Sequence, residues 1–207
     1  MHNGAFTLLV VLEGDQDPMN DDDARLSFRT SPDKLVRDAV GGIASDYSFR
    51  LGEWTSEFES SVRVTIRDGV IESMGPETIR LQVSGGRRLL PARPLVLHQG
   101  RVRISTTADG RLEGLVAGYQ AWEPIWRVRA NYIIEVVAKI DSPSLWYSLR
   151  RHADGVPDPE SGEMTAISST LRLWAVPAFA IQPEVPSEAD VATRAASSTE
   201  VGAESSQ

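Results

Sequence analysis

The stretch SVRVTIRDGVI, residues Ser61–Ile71, decides the fold class. Val62, Val64 and Ile66 fall on one side of an extended chain, while Arg63, Thr65 and Arg67 fall on the other. That period of two belongs to a strand with one face in a core and the other in water. Asp68-Gly69 follows at once, and the apolar pattern resumes at Val70-Ile71. An Asp-Gly pair between two such runs signals a tight hairpin, because both central residues of the favoured turn need positive φ. The local instruction is therefore an antiparallel sheet.

The same signals recur outward from this point. Thr78–Val83 alternates through Ile79, Leu81 and Val83, then stops at Gly85-Gly86. Arg101–Ser105 alternates through Val102 and Ile104, and Asp109-Gly110 turns the chain into Leu112–Val116. Pro91 and Pro94 place Leu89–Leu97 at a sheet edge or across a bend, since proline has no N–H to give a ladder. Toward the N-terminus, FTLLVVL (Phe6–Leu12) reads as a first strand, Glu13–Asp23 as an acidic loop, and Ala24–Arg29 as the next strand. Short strands with frequent turns predict a mainly β domain, an antiparallel β-sandwich or jelly-roll-like fold, rather than a parallel α/β sheet.

The period changes after Gly118. Trp122, Trp126, Ile133 and Ile140 fall near one helical stripe, Pro124 suits a first turn, and Glu123 and Arg127 are spaced for an i,i+4 ion pair. A helix is expected over Glu123–Ile140, with a strand as rival because NYIIEVV (Asn131–Val137) is rich in β-branched residues. Asp141-Ser142-Pro143 interrupts it. Ser142 or Ser144 can then cap a second helix running through His152 that buries Leu145, Trp146 and Leu149. The expectation is a helical hairpin of roughly 123–152 inserted before a last strand, Ser169–Ile181, in which Pro177 forces an edge or a bulge. Residues 1–181 then form a single β-rich domain. Residues 182–207, poor in apolar side chains, are expected to be a disordered acidic tail or linker.

Composition removes several functions. The 207 residues carry a formal net charge of −8, and the basic pairs Arg87-Arg88 and Arg150-Arg151 are isolated, so no basic face is offered to nucleic acid. No cysteine is present, which excludes disulfides, thiolate metal sites and a thiol nucleophile. No run reaches the ~18 apolar residues of a membrane span. A chain that enters a strand this early, without a basic leader, is expected to be a mature or trimmed form.

Candidate chemistry is sparse. Asp154, Asp158, Glu160 and Glu163 lie in a Gly/Pro-rich loop, and carboxylates at such short intervals can wrap a hard cation such as Ca²⁺. Glu13–Asp23 is a second acidic loop of the same kind. Glu57 and Glu59 flank Phe58 and would share one side of a strand, as the paired carboxylates of a sugar-cleaving groove do. His98 and His152 have no metal-ligand spacing around them, and no GxSxG elbow, phosphate loop or catalytic motif is found.

The region from Gly114 to Phe179 resembles bacterial envelope or secreted proteins of unassigned function. The likeness rests on Gly114-Leu115, Gly118-Tyr119, Tyr147–Asp154 (YSLRRHAD), Asp158-Pro159-Glu160-Ser161-Gly162, Ala166-Ile167-Ser168 and Ala175-Val176-Pro177-Ala178-Phe179. It implies a secreted or cell-envelope setting, with the cytoplasm as the alternative. The function expected is a non-enzymatic envelope or extracellular module that binds a protein partner or a glycan, with no catalytic residue and no cofactor beyond Ca²⁺. A carbohydrate-active hydrolase on the same scaffold and a structural subunit of an assembly are the alternatives.

Overall fold

Eleven strands run through the described residues, which are 7–14, 17, 19–53, 57, 59–83, 93–127 and 142–182 of a computed structural model. They are β1 (Thr7–Glu13), β2 (Asp21–Ser31), β3 (Tyr47–Arg50), β4 (Ser60–Arg67), β5 (Val70–Ser73), β6 (Glu77–Val83), β7 (Arg93–Thr106), β8 (Leu112–Ala121), β9 (Gly155–Pro157), β10 (Met164–Ala175) and β11 (Ala178–Ile181). A helical segment over 122–127 (α1) and a helix at Ser142–Arg151 (α2) interrupt the strands between β8 and β9. The chain is a mainly β protein built on one large antiparallel sheet with a small helical insertion before its last strands. The expected helix beyond residue 127 and the expected tail from residue 183 lie outside the described residues.

The main sheet runs β1-β2-β4-β5-β7-β8-β10-β9, and β6 pairs with the first half of β7. Its core holds the residues that alternation sets on one side, Val62, Val64 and Ile66 of β4, Ile79 and Leu81 of β6, and Val102 and Ile104 of β7, together with Leu26 and Phe28 of β2 and Val116 of β8. Val10 and Leu12 of β1 pack against this core, as do Leu171 and Leu173 of β10. Strands near opposite ends of the path thus share one interior, so the sheet curls around it. Burial of such side chains supplies about 25 cal/mol per Å² removed from water and is the main favourable term.

Turn chemistry sets the registers. Asp68 and Gly69 have φ of 50° and 72°, the paired left-handed residues of the hairpin that joins β4 to β5. Between β7 and β8, Gly110 donates its N–H to the Thr107 carbonyl at 2.9 Å and takes φ of 76°, so the turn is a longer one closed by a single left-handed residue. β7 is one strand where the sequence suggests two pieces. Gln99, at φ 49°, makes a bulge between His98 and Arg101, which lets the strand pass through without losing β8. Pro94 lies in the part of β7 flanked by β6 alone, where no N–H is needed on the other side.

Two further departures have clear causes. Asp21–Asp23 extend β2 rather than belonging to an acidic loop, because Arg63 and Arg67 on the neighbouring strand pair with Asp23 (2.7 Å) and Asp22 (3.6 Å). The expected last strand is two: Pro177 ends the β10 ladder, and β11 crosses to pair in parallel with β3, Ala178 opposite Tyr47 and Ile181 opposite Arg50. This ribbon covers the second face of β1. Leu9 and Val11 pack with Phe49 and Leu51 in a small separate core. β1 is therefore apolar on both sides, which explains the unbroken run LLVVL.

A buried ion pair holds the junction of these two cores. Beyond Phe28, opposite Ser60, the β2–β4 ladder ends. The Glu59 carboxylate, with its side chain 0% exposed, takes over: it accepts from the Thr30 N–H at 2.9 Å and the Thr30 hydroxyl at 3.1 Å, and lies 3.2 Å from Arg29 Nε. Arg29 also donates to the Gly52 carbonyl at 3.0 Å, and Gly52 donates to the Thr30 carbonyl at 2.9 Å. Removing one member of such a set leaves a buried charge without its partner. Glu59→Ala is expected to lose about 3 kcal/mol or more in denaturant unfolding, whereas Arg29→Met with Glu59→Leu should lose clearly less. Equal losses would show that packing, not charge, sets the cost.

The ribbon is pinned by Asp33. Its carboxylate accepts the Arg50 N–H at 2.7 Å and pairs with the Arg50 guanidinium, and Thr7 donates to the Asp33 carbonyl at 2.7 Å. The Arg50 guanidinium and N–H lower the Asp33 carboxyl from 3.8 to about 2. Because the folded value is the depressed one, the stabilisation is complete above 3.8 and is lost as pH falls toward 2. Acid titration of unfolding free energy should show this limb in the native chain, and Asp33→Asn should shrink it, the rest coming from other lowered carboxyls such as Asp154 and Asp158.

Candidate functional site

The acidic stretch Asp154–Glu163 contains β9, and its residues 158–163 are the turn of the β9–β10 hairpin, in which the Asp158 carboxylate is used by the turn itself. Asp158 accepts at one oxygen from the Glu160 N–H (3.0 Å), the Ser161 N–H (2.8 Å) and the Ser161 hydroxyl (3.0 Å). Its backbone closes the loop: Asp158 N–H to the Glu163 carbonyl at 2.8 Å, and Gly162 N–H to the Asp158 carbonyl at 2.9 Å. These donors, the Ser161 N–H foremost, lower the Asp158 carboxyl below its ordinary range. A short carboxylate capping its own turn is the usual reason for Asp at such a position.

The other three acids point elsewhere. Asp154 accepts from the Ser168 hydroxyl at 2.6 Å and the Ser168 N–H at 2.7 Å, and these bonds lower its carboxyl too. Glu163 pairs with Arg150 of α2. Glu160 contributes its N–H to Asp158 while its side chain stays exposed. Among the described residues, no three His, Cys, Asp or Glu side chains converge on a point that could hold a metal.

What these contacts build is a brace between helix and sheet. Arg150, held by Glu163, lies with its guanidinium carbon 5.2 Å from the centre of the Trp146 ring. Trp146 meets Trp122 edge-on at 5.5 Å and Tyr147 edge-on at 5.1 Å, the arrangement preferred by ring quadrupoles. Gly155 lies directly against the Tyr119 ring, where a Cβ would sit 2.1 Å from a ring carbon. Trp122 and Trp146 are half-buried, so the sequence expectation that they pack fits their place in the fold.

The remaining sequence candidates separate. Glu57 is exposed in a turn and Glu59 is buried against Arg29 and Thr30, so the two do not share a face. His98 is half-buried on β7 opposite Tyr119, and His152 is exposed just past α2. Of the first acidic loop, residues 15, 16 and 18 lie outside the described residues, as does Trp54.

A different surface stands out. The outer face of the sheet carries the cross-strand row Glu72–Arg103–Leu115–Arg172 and, next to it, Ser105–Glu113–Trp174. Arg103 pairs with Glu72 at 2.6 Å and Arg172 with Glu113. On this polar face Leu115 is 48% exposed and Trp174 68%. The chain then passes Pro177 into β11, where Phe179 and Ile181 are also exposed, at 61% and 48%. A signal for Trp174 exists in the sequence: Leu171, Leu173 and Ala175 take the core side of β10, so Trp174 must take the other. Phe179 and Ile181 carry no such signal, because their exposure depends on β11 leaving the sheet.

Comparison with protein-family models, curated proteins and solved structures finds no match.

In this arrangement Asp154 already accepts from Ser168 and Glu163 pairs with Arg150. A calcium titration read by melting temperature tests the loop, and carboxylates that serve only these contacts give no shift. A saturable rise that Asp158→Asn abolishes would instead place a cation in the loop.

Proposed function

We propose that the chain is a non-enzymatic β-rich module of an envelope or extracellular setting that binds a protein partner through the segment Trp174–Ile181. The observation that carries this reading is the placement of three large apolar side chains, Trp174, Phe179 and Ile181, in water within eight consecutive residues. Single exposed apolar residues are ordinary, but several large ones along one short segment are the kind of feature interaction sites use. Tryptophan and neighbouring arginine are the side chains most enriched among residues that dominate binding energy, and here Arg172 precedes Trp174 on the same face. The mixture of aromatic and aliphatic groups favours a protein over a glycan, whose platforms use stacked rings with planar polar groups.

Photo-crosslinking in the producing cell tests the reading. A benzophenone side chain at position 179 is expected to give a discrete higher-mass adduct, and one at Val40, which is 92% exposed, is expected to give none. Trp174→Ala should abolish the adduct while shifting the melting temperature very little, since an exposed side chain contributes little to folding. Diffuse labelling of equal strength at both positions would remove the proposal. Quenching of Trp174 fluorescence by polysaccharide would favour the glycan reading instead.

A further inference from the structure

The two ends of the main sheet are built differently. β9 is short, contains Pro157 and carries Val156 at φ 55°, so it offers an incoming strand almost nothing. Brevity, proline and irregular backbone are the usual protections of a sheet edge. β1 has none of them. Its seven residues keep unbroken register with β2 from Thr7 opposite Ser31 to Glu13 opposite Arg25, and among the described residues β1 pairs with β2 alone.

The direction of its free hydrogen-bonding groups follows from Thr30. The Thr30 N–H donates to Glu59 and its carbonyl accepts from the Gly52 N–H, both on the side away from β1. Leu8, opposite Thr30, is therefore in a wide, non-bonded pair. Since bonding alternates along an antiparallel ladder, Leu8, Val10 and Leu12 direct their N–H and C=O groups outward.

We infer that this edge pairs with the same edge of a second copy of the chain. An antiparallel pairing centred on Val10 sets Val10 against Val10 of the second copy and Leu8 against Leu12, each pair exchanging two hydrogen bonds. The only charge on the strand, Glu13, then faces Thr7 rather than another Glu13. The side chains select the same partner. An added strand meets the main core on one face and the Leu9, Val11 and Phe49 set on the other, so it must be apolar on both. The outward faces of β4, β7 and β10 carry Arg63, Arg67, Arg101, Arg103 and Arg172, so strands of that type would bring charge to one of the two cores. β1 is its own complement, and self-pairing also covers Leu8, now 37% exposed. The contact is two-fold and closed, giving a dimer and not a fibre.

Sedimentation of the full chain over a micromolar concentration series should show a shift from 22.6 kDa to twice that mass. Added salt should favour the dimer, because each copy carries −8. Leu8→Lys and Val10→Pro should each give a monomer with an unchanged circular dichroism spectrum, since among the described residues the Val10 N–H serves no bond within the chain. The native chain has no cysteine, so Val10→Cys offers a background-free probe: mild oxidation should yield a disulfide-linked dimer, and Val40→Cys should not. A chain that stays monomeric at every concentration, a dimer indifferent to Leu8→Lys, or equal crosslinking at positions 10 and 40 would each overturn the inference. If Val10→Pro fails to fold, Leu8→Lys and Val10→Cys decide.

Discussion

The Glu59 carboxylate does the work of a strand at the point where β2 and β4 part. The β2–β4 ladder stops at Phe28, yet β2 must continue to Ser31 to hold β1. The Thr30 N–H facing that gap is satisfied by Glu59, and the Thr30 carbonyl by Gly52. Arg29 neutralises the buried charge and ties down Gly52 in the same motion. Three distant segments meet at this one group: the end of β2, the chain leaving β3, and the approach to β4. Both apolar cores border it. Without it, either the ladder would need another strand or β2 would end early and release β1. A buried, partnered charge adds little net stability over a well-packed apolar group. Its contribution here is register: only one alignment of β2 against β4 brings the Thr30 N–H and the Arg29 guanidinium to the same carboxylate.

Much of the architecture is legible in local pattern. Ser61–Arg67 with Asp68-Gly69, the Asp109-Gly110 turn, and the core-side positions of β6, the second half of β7 and β10 follow from alternation and turn chemistry, because those constraints act within a few residues. What escapes such reading depends on partners far along the chain. Glu59 looks like the cis-facing neighbour of Glu57 until β2 supplies Thr30 and Arg29. Asp21–Asp23 look like loop until β4 supplies Arg63 and Arg67. β11 looks like the end of β10 until Pro177 and β3 separate them.

The candidate loop shows the same division. Asp154, Asp158, Glu160 and Glu163 are close in sequence, and the density of carboxylates suggests a shared ligand. In the fold each carboxylate has its own assignment, to Ser168, to the turn, to solvent or to Arg150. Sequence spacing reports proximity of backbones, whereas the direction of each side chain is set by partners on β10 and α2. Trp174 is the reverse case. Its neighbours fix its direction on the strand, so parity alone places it in solvent.

The parallel pairing of β3 with β11 sets an order of assembly. Tyr47 meets Ala178 across more than half the chain, so this contact closes one of the longest loops in the molecule. Loop-closure entropy makes such a contact a late event in folding, after the hairpins of the main sheet have formed from near neighbours. The ribbon covers few residues and rests on a small core, so it is also the natural first unit to open in the native state. Opening it would uncover the outer face of β1 without disturbing the main interior. Amide protons of β3 and β11 would then exchange through a local event, while those of β4 and β7 would exchange only through unfolding of the whole sheet.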